Sequence, residues 1–179
     1  MSAGLFSQTL QQLTNKKITL PNGWSLSPAG KSLPLGDLPL NMVVSKSGKL
    51  IAVTNNGQST QTIQLINAVT EKQLDEVTIA KSWYGLKFSA DEKKLYASGG
   101  NDNWILQYNI IQNKLILADS FLLGKKMKDL ISPAGIEVDD VANKMYVVTK
   151  ENNSLYIFDL KTKQVLQKIK LDGEAYSCL

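Results

Sequence analysis

The sequence predicts an all-β fold, a partial β-propeller whose blades are four-stranded antiparallel sheets, and three observations support this. Related stretches recur at Leu50, Leu95 and Met145, which lie 45 and 50 residues apart, and spacings of about 40–50 residues are typical of propeller blades. Each stretch contains short runs of alternating apolar residues rich in β-branched and aromatic side chains, as strands do. Turns rich in Gly, Asn and Asp separate the runs.

Each repeat predicts four strands, here named a to d in chain order. Strand a is the apolar stretch before an acidic or glycine-containing turn, as at 86–88, and strand b is the run after that turn, as at 95–99. Strand c alternates apolar and polar residues, as at Trp104 and Leu106. Strand d follows the next polar turn, as at Val77. The period of two along these runs favours half-buried strands over helices.

The repeats divide the chain into an N-terminal extension, residues 1–16, and a propeller segment, residues 17–179. Within that segment we predict a half blade at 17–36, whole blades at 37–79, 80–124 and 125–171, and the first strand of another blade at 172–179. In the half blade, residues 24–27 and 32–35 predict strands c and d around the turn "PAGK". Because propellers close with about 4–8 blades, we expect a fragment of a longer protein, or a ring completed by a second copy.

Composition excludes several kinds of chemistry. The chain of 179 residues contains no His, which removes Ser–His–Asp catalysis and His-based zinc motifs. The single cysteine, Cys178, excludes an internal disulfide and a multi-cysteine metal site. The net charge is +4, but every basic residue is Lys, whereas proteins that read nucleic acid rely on Arg. We therefore predict no cofactor, no metal site and no nucleic-acid partner.

The sequence also bears on membrane insertion and export. No apolar run reaches the roughly 18 residues that a transmembrane helix needs. The first residues, "MSAGLFSQTLQQLTNKK", lack the basic and apolar regions of a signal peptide. We therefore expect no membrane span, and any export signal would have to lie outside this chain.

The b–c and d–a connections of propeller blades lie on one face, around the mouth of the central channel. In this chain those loops are 55–60, 80–83, 98–103, 125–133 and 150–154. Their amides, a cation and an aromatic ring suit a polar ligand, a sugar or a peptide loop. The candidate ligand or partner face comprises Asn55, Asn56, Gln58, Lys81, Trp83, Asn101, Asp102, Asn103, Asn152 and Asn153.

Each of these residues also has a possible structural role that does not involve a ligand. An individual Asn in such a loop more often serves the turn than contacts a ligand, and Trp83 is more typical of packing between blades than of an exposed ring. Asp102 and its neighbours lack the twelve-residue spacing and closing Glu of a calcium loop. The acidic pairs Asp91–Glu92 and Asp139–Asp140 fall in a–b turns on the opposite face, where we expect solvated side chains. No catalytic residue is predicted.

Two features of the sequence are shared with a known family. The turn-and-strand pattern resembles the YVTN-type bacterial β-propeller repeat. The stretches "LPNGWSLSPAGKSLPLGDLPLN", "TNNGQSTQ" and "SWYGLKFSADEKKLYASGGNDN" are similar to the N-terminal propeller of bacterial proteins that join such a propeller to a phosphoesterase domain of the alkaline-phosphatase superfamily. The similarity covers 17–179, although the turns "SKSGK", "SADEK" and "DDVANK" depart from the family's "SPDGK".

This resemblance implies a periplasmic or secreted location and association with a phosphoesterase domain. The metal ligands and nucleophile of that domain have no counterpart in this chain, so the resemblance places no active site here. We therefore predict a binding or scaffolding module. Two alternatives stay open: a lactonase-like propeller hydrolase, which the lack of His and Arg disfavours, and a purely structural surface repeat.

Overall fold

A computed structural model describes residues 18–26, 31–126 and 128–178. The chain forms two compact units, 1–35 and 36–179. In the first unit, strand β1 (Ile18–Thr19) pairs antiparallel with strand β2 (Ser25–Leu26). The predicted extension, residues 1–16, and most of the "PAGK" turn lie outside the described residues.

The strand predicted at 32–35 is not formed, and this prediction was wrong. Pro34 lies in its middle and has no N–H to donate to a neighbouring strand. Leu33 and Leu35 are both exposed. A short β1–β2 hairpin is the regular structure in the described part of this unit.

The second unit contains three four-stranded antiparallel sheets, each in simple chain order. Their strands are β3 (Pro39–Val44), β4 (Leu50–Asn55), β5 (Thr62–Asn67) and β6 (Lys72–Thr78) in blade 1; β7 (Leu86–Phe88), β8 (Lys94–Ser98), β9 (Trp104–Ile111) and β10 (Lys114–Leu122) in blade 2; and β11 (Pro133–Asp139), β12 (Lys144–Thr149), β13 (Ser154–Asp159) and β14 (Val165–Lys170) in blade 3. This arrangement confirms the predicted all-β, partial-propeller fold class. The division of the whole chain into 1–16 and 17–179 stays a prediction.

Alternation along the strands builds one apolar layer on each side of blade 2. Leu95 and Ala97 of β8 face blade 1, where they join a buried cluster with Ile63 and Leu65. Tyr96, between them in sequence, joins the cluster that blade 2 shares with blade 3. The period-2 pattern is therefore the direct cause of blade stacking, because successive side chains of a strand point to opposite faces.

Turn chemistry determines where the strands reverse. Gln112 and Asn113 connect β9 to β10, and both have positive φ, 50° and 63°. Positive φ at both central residues defines the type I′ turn, whose twist matches that of the flanking strands.

The outermost strand of blade 3, β14, is exposed along its length. Its lysines, Lys168 and Lys170, protect that open edge from pairing with another chain.

The acidic residues of the a–b turns connect neighbouring blades. The Ser47 hydroxyl donates to Oε2 of Glu92 at 2.7 Å, and the Ala90 main-chain N–H donates to Oδ2 of Asp140 at 2.5 Å. The hydrogen bonds from the Ser47 side chain and main chain hold the pKa of Glu92 below its ordinary value. The expectation that these acids are merely solvated was therefore wrong for Glu92 and Asp140, because each is within reach of the adjacent blade.

The inner strands approach each other through glycines. A Cβ atom at Gly85, just before β7, would lie 2.1 Å from the main-chain oxygen of Ala134 in β11. A Cβ at Gly135 would lie 2.7 Å from the Cα of Ser177. The C-terminal segment 172–178 has no assigned strand, yet its main chain runs beside β11, as the predicted first strand of another blade would.

We expect Gly85→Ala to lower the free energy of unfolding by roughly 1–3 kcal/mol, because the new methyl group must push β7 away from β11. Gly173→Ala is the matched control, since a Cβ there meets nothing within 4 Å. Urea titration followed by circular dichroism compares the two variants with the unmodified chain. Equal stability of the two variants would contradict the close approach of the inner strands.

Candidate binding face

The loops at one end of the three blades enclose a cleft of about 330 Å³. The cleft receives residues from the b–c loops of all three blades and from the d–a connections between them. We call this surface the channel-mouth cleft. Its lining residues are Asn56, Gln61, Lys81, Ser82, Trp83, Gly100, Asn101, Ser132, Lys150 and Glu151.

Two hydrogen bonds fix the connection between blades 1 and 2. The Asn56 side-chain amide donates to the main-chain oxygen of Ser82. The Ser82 main-chain N–H donates to Oε1 of Gln61 at 2.6 Å. The b–c loop of blade 1 therefore holds the residue between Lys81 and Trp83, and so positions both of these side chains at the cleft.

The opposite wall is built from a short 3₁₀ turn at Gly100–Asp102 in blade 2. Gly100 has φ of +50°, and its main-chain N–H donates to the Ser98 hydroxyl at 3.1 Å. Ser132, which precedes β11, donates its hydroxyl to Oδ1 of Asn101 at 2.8 Å. The bond between Ser132 and Asn101 joins the b–c loop of blade 2 to the start of blade 3.

Charged side chains of blade 3 complete the cleft. Lys150 Nζ lies 3.6 Å from Oε1 of Glu151 and 6.0 Å from the centroid of the Tyr176 ring. The Tyr176 phenol and then the nearby carboxylates raise the pKa of Lys150. Lys81, by contrast, is exposed and has no ion-pair or hydrogen-bond partner among the described residues.

Two polar atoms at the cleft wall also lack partners within the described part of the chain. Ser82 is 3% exposed, and its hydroxyl makes no hydrogen bond. The indole N–H of Trp83 is likewise buried without an acceptor. Buried polar groups are nearly always hydrogen-bonded. Two buried polar atoms without a described partner, both in residues that line the cleft, are therefore unusual.

Of the ten residues predicted for this face, the cleft brings together Asn56, Lys81, Trp83 and Asn101. Gln58 is exposed but borders an adjoining depression, which shares Asn56, Gln61 and Lys81 with the cleft. Asn152 accepts from the Thr149 hydroxyl and donates to the Tyr156 phenol at 2.8 Å. Asn153 has φ of +43° and serves the turn.

The remaining three predicted residues are fully buried, so their assignment to an open face was wrong. Asn55 donates to Thr62 and Gln64, each at 3.0 Å. The Asn103 side chain hydrogen-bonds main-chain groups of the loop before β11. Asp102 lies 3.0 Å from Lys126 Nζ, in an ion pair that lacks hydrogen-bond geometry.

Six lining residues were not predicted: Gln61, Ser82, Gly100, Ser132, Lys150 and Glu151. All of them except Gln61 belong to loops that were predicted to face the channel mouth, so membership of these loops was the available sequence signal. Gln61 lies one residue beyond its predicted loop. Ser132 was not singled out within its predicted loop 125–133, because its exact place depends on a hydrogen bond to blade 2.

The described residues show neither a metal centre nor a membrane helix. No three of their His, Cys, Asp or Glu side chains converge as metal ligands would. No helix among them is long and apolar enough to cross a bilayer.

The sequence itself has no match among protein-family models or curated proteins. Solved structures do resemble it. A structure titled Kuenenia stuttgartiensis Hydrazine Synthase aligns with TM-score 0.65 and 16% identity, over 82% of this chain and 40% of that one. The structure of U3-55K aligns with TM-score 0.67 and 12% identity, over 81% and 43%. The RRP9 WD40 repeats align with TM-score 0.64 and 15% identity, over 80% and 42%.

The chain thus spans about two fifths of the length of each of these three structures. At this level of identity the likeness concerns the fold alone. The chain has the fold of part of a WD40-like β-propeller.

Proposed function

We propose that the chain is a protein-binding module that uses the channel-mouth cleft to hold a segment of a partner. One observation carries the proposal: loops from all three blades converge on one cleft, and its wall contains two buried polar atoms that have no partner among the described residues. Propeller folds of the WD40 type support an interaction role, and a cleft of this size accommodates one or two side chains of a bound peptide.

Selection from a random peptide library displayed on phage tests this proposal. We expect peptides that bind the chain with micromolar Kd. Asn101→Trp should abolish their binding because the indole fills the cleft. Lys46→Trp is the matched control, since Lys46 borders a depression formed by the a–b turn side of the blades. Peptides that bind both variants equally would contradict the assignment of the cleft.

We also propose that further blades, or a second copy of the chain, cover the outer faces of blades 1 and 3. Met42 and Val44 of β3 are 59% and 54% exposed. On blade 3, Tyr146 and Leu155 alternate with residues of the cluster that faces blade 2, and they line a depression of about 510 Å³ on the other side of the sheet. Light scattering at several concentrations distinguishes the two possibilities. A stable dimer supports a second copy on these faces, whereas a monomer supports further blades.

A finer proposal comes from the sequence resemblance. We propose a YVTN-type propeller of an exported bacterial protein, with an associated phosphoesterase domain as one partner. The stretches quoted from residues 20–103 support this proposal. Hydrolysis of phosphate esters by a longer natural product that includes this chain would support it, and a natural product without such activity would contradict it.

A further inference from the structure

The channel-mouth cleft offers more free hydrogen-bond donors than free acceptors. Oδ1 of Asn101 accepts from Ser132, and Oε1 of Gln61 accepts from the Ser82 main chain. No described residue accepts a hydrogen bond from the NH₂ group of either amide. Each of these two amide oxygens therefore already accepts one hydrogen bond, while both NH₂ groups remain free to bind a ligand.

The two buried polar groups of the cleft wall also add hydrogen-bond donors rather than acceptors. The Trp83 indole nitrogen is a donor only, and the Ser82 hydroxyl can donate as well as accept. Both atoms lack partners within the described residues. Both are also covered by neighbouring atoms, so a ligand acceptor reaches them through a rotation of the Ser82 or Trp83 side chain. Such an acceptor would remove the penalty of a buried donor without a partner.

The charge of the cleft favours a negatively charged hydrogen-bond acceptor. Its charged residues are two lysines and one glutamate. Glu151 and Tyr176 already contact Lys150, which leaves Lys81 as the exposed ammonium group without a described partner. One surplus positive charge matches a monoanion. A carboxylate is a monoanion that accepts several hydrogen bonds at once.

We propose that the channel-mouth cleft binds the carboxylate of a Glu or Asp side chain in a partner peptide. In this arrangement Lys81 neutralises the carboxylate, and the Asn101 amide and the Trp83 indole donate to its oxygens. This inference rests on the proposed function, because it identifies the chemistry of the peptide that the cleft holds.

Nuclear magnetic resonance of the indole N–H groups tests the inference on the full chain. The chain has three tryptophans, and Trp83→Phe identifies the Trp83 signal. The probe is N-acetyl-glutamate N-methylamide, and its matched neutral control is N-acetyl-glutamine N-methylamide. We expect the Trp83 signal to move saturably with the glutamate derivative, at millimolar Kd, and to show no saturable movement with the glutamine derivative.

Charge removal supplies the second arm. Lys81→Gln should weaken binding of the glutamate derivative about tenfold, because a charge-assisted contact is lost. Lys46→Gln, on the a–b turn side, should leave the affinity unchanged. The spectra of the free variants establish that both remain folded.

Four results would overturn the inference. They are equal shifts with the glutamine derivative, equal loss of affinity in Lys46→Gln, tighter binding of N-acetylglycinate (a model of a chain terminus), and tighter binding of inorganic phosphate. If selected peptides still bind through the cleft in any of these cases, the proposed function stands and only the carboxylate assignment fails. If no peptide binds there, the proposed function fails as well.

Discussion

Phe121→Ala is expected to lower the free energy of unfolding by about 3–5 kcal/mol, since a buried aromatic side chain is replaced by a cavity. Phe121 is fully buried between blades 2 and 3. Its ring contacts Tyr96 and Phe158 edge-to-face, with centroids 6.1 and 5.8 Å apart. Such pairs add stability beyond the buried area alone. Urea titration monitored by circular dichroism measures the loss.

The neighbouring residue provides the control. Leu122 follows Phe121 on the same strand but is 61% exposed, so Leu122→Ala should change stability by no more than about 0.5 kcal/mol. Phe121→Leu retains more apolar volume than the alanine variant and should lower the free energy of unfolding by about half as much. This variant can still be measured if Phe121→Ala does not fold. A cost for Phe121→Ala below about 1 kcal/mol would contradict the packing of blade 2 on blade 3.

Asn103→Ala should lower the free energy of unfolding by roughly 2–4 kcal/mol, because three main-chain groups each lose a hydrogen bond. The Asn103 amide donates to the main-chain oxygens of Lys125 and Asp129, at 2.9 and 2.6 Å. Its Oδ1 accepts from the Ser132 N–H at 3.1 Å. One buried side chain therefore binds the connection between blades 2 and 3 at three points.

Two further variants separate this role from backbone strain. Asn103 has φ of +60° and Asn153 has φ of +43°, so Asn153→Ala carries a similar backbone penalty without the three hydrogen bonds. Asn103→Asp keeps the acceptor oxygen but turns a second oxygen toward two carbonyls, and we expect it to be at least as destabilising as alanine. Equal costs for Asn103→Ala and Asn153→Ala, measured by urea titration, would contradict the proposed role.

The fold class was predictable because its signals are local. Period-2 alternation at Leu95, Tyr96 and Ala97 places these residues in opposite layers, and turn residues mark the reversals. The strand expected at 32–35 is absent. The apolar composition of this stretch suits a strand, but Pro34 has no main-chain N–H to donate to a neighbouring strand. The roles of Glu92 and Asp140 were missed because their partners, Ser47 and Ala90, lie 45 and 50 residues away.

The candidate face was predictable as a set of loops but not residue by residue. An Asn in a loop has the same sequence signal whether it faces solvent, as Asn101 does, or binds main chain, as Asn103 does. The difference depends on where the neighbouring blade places its carbonyls. Ser132 lies in a loop that was predicted to face the channel mouth, but its neighbours in sequence do not single it out, and it lines the cleft because blade 2 holds it through Asn101.

The central claim is that the channel-mouth cleft is the binding face, and amide chemical-shift mapping with the tightest selected peptide tests it most directly. We predict that the largest shifts occur at residues 56–61, 81–83, 100–101 and 150–151, and that residues 44–46 and 88–90 on the a–b turn side do not respond. Shifts concentrated on the a–b turn side, or along the outer strands β6, β10 and β14, would contradict the claim.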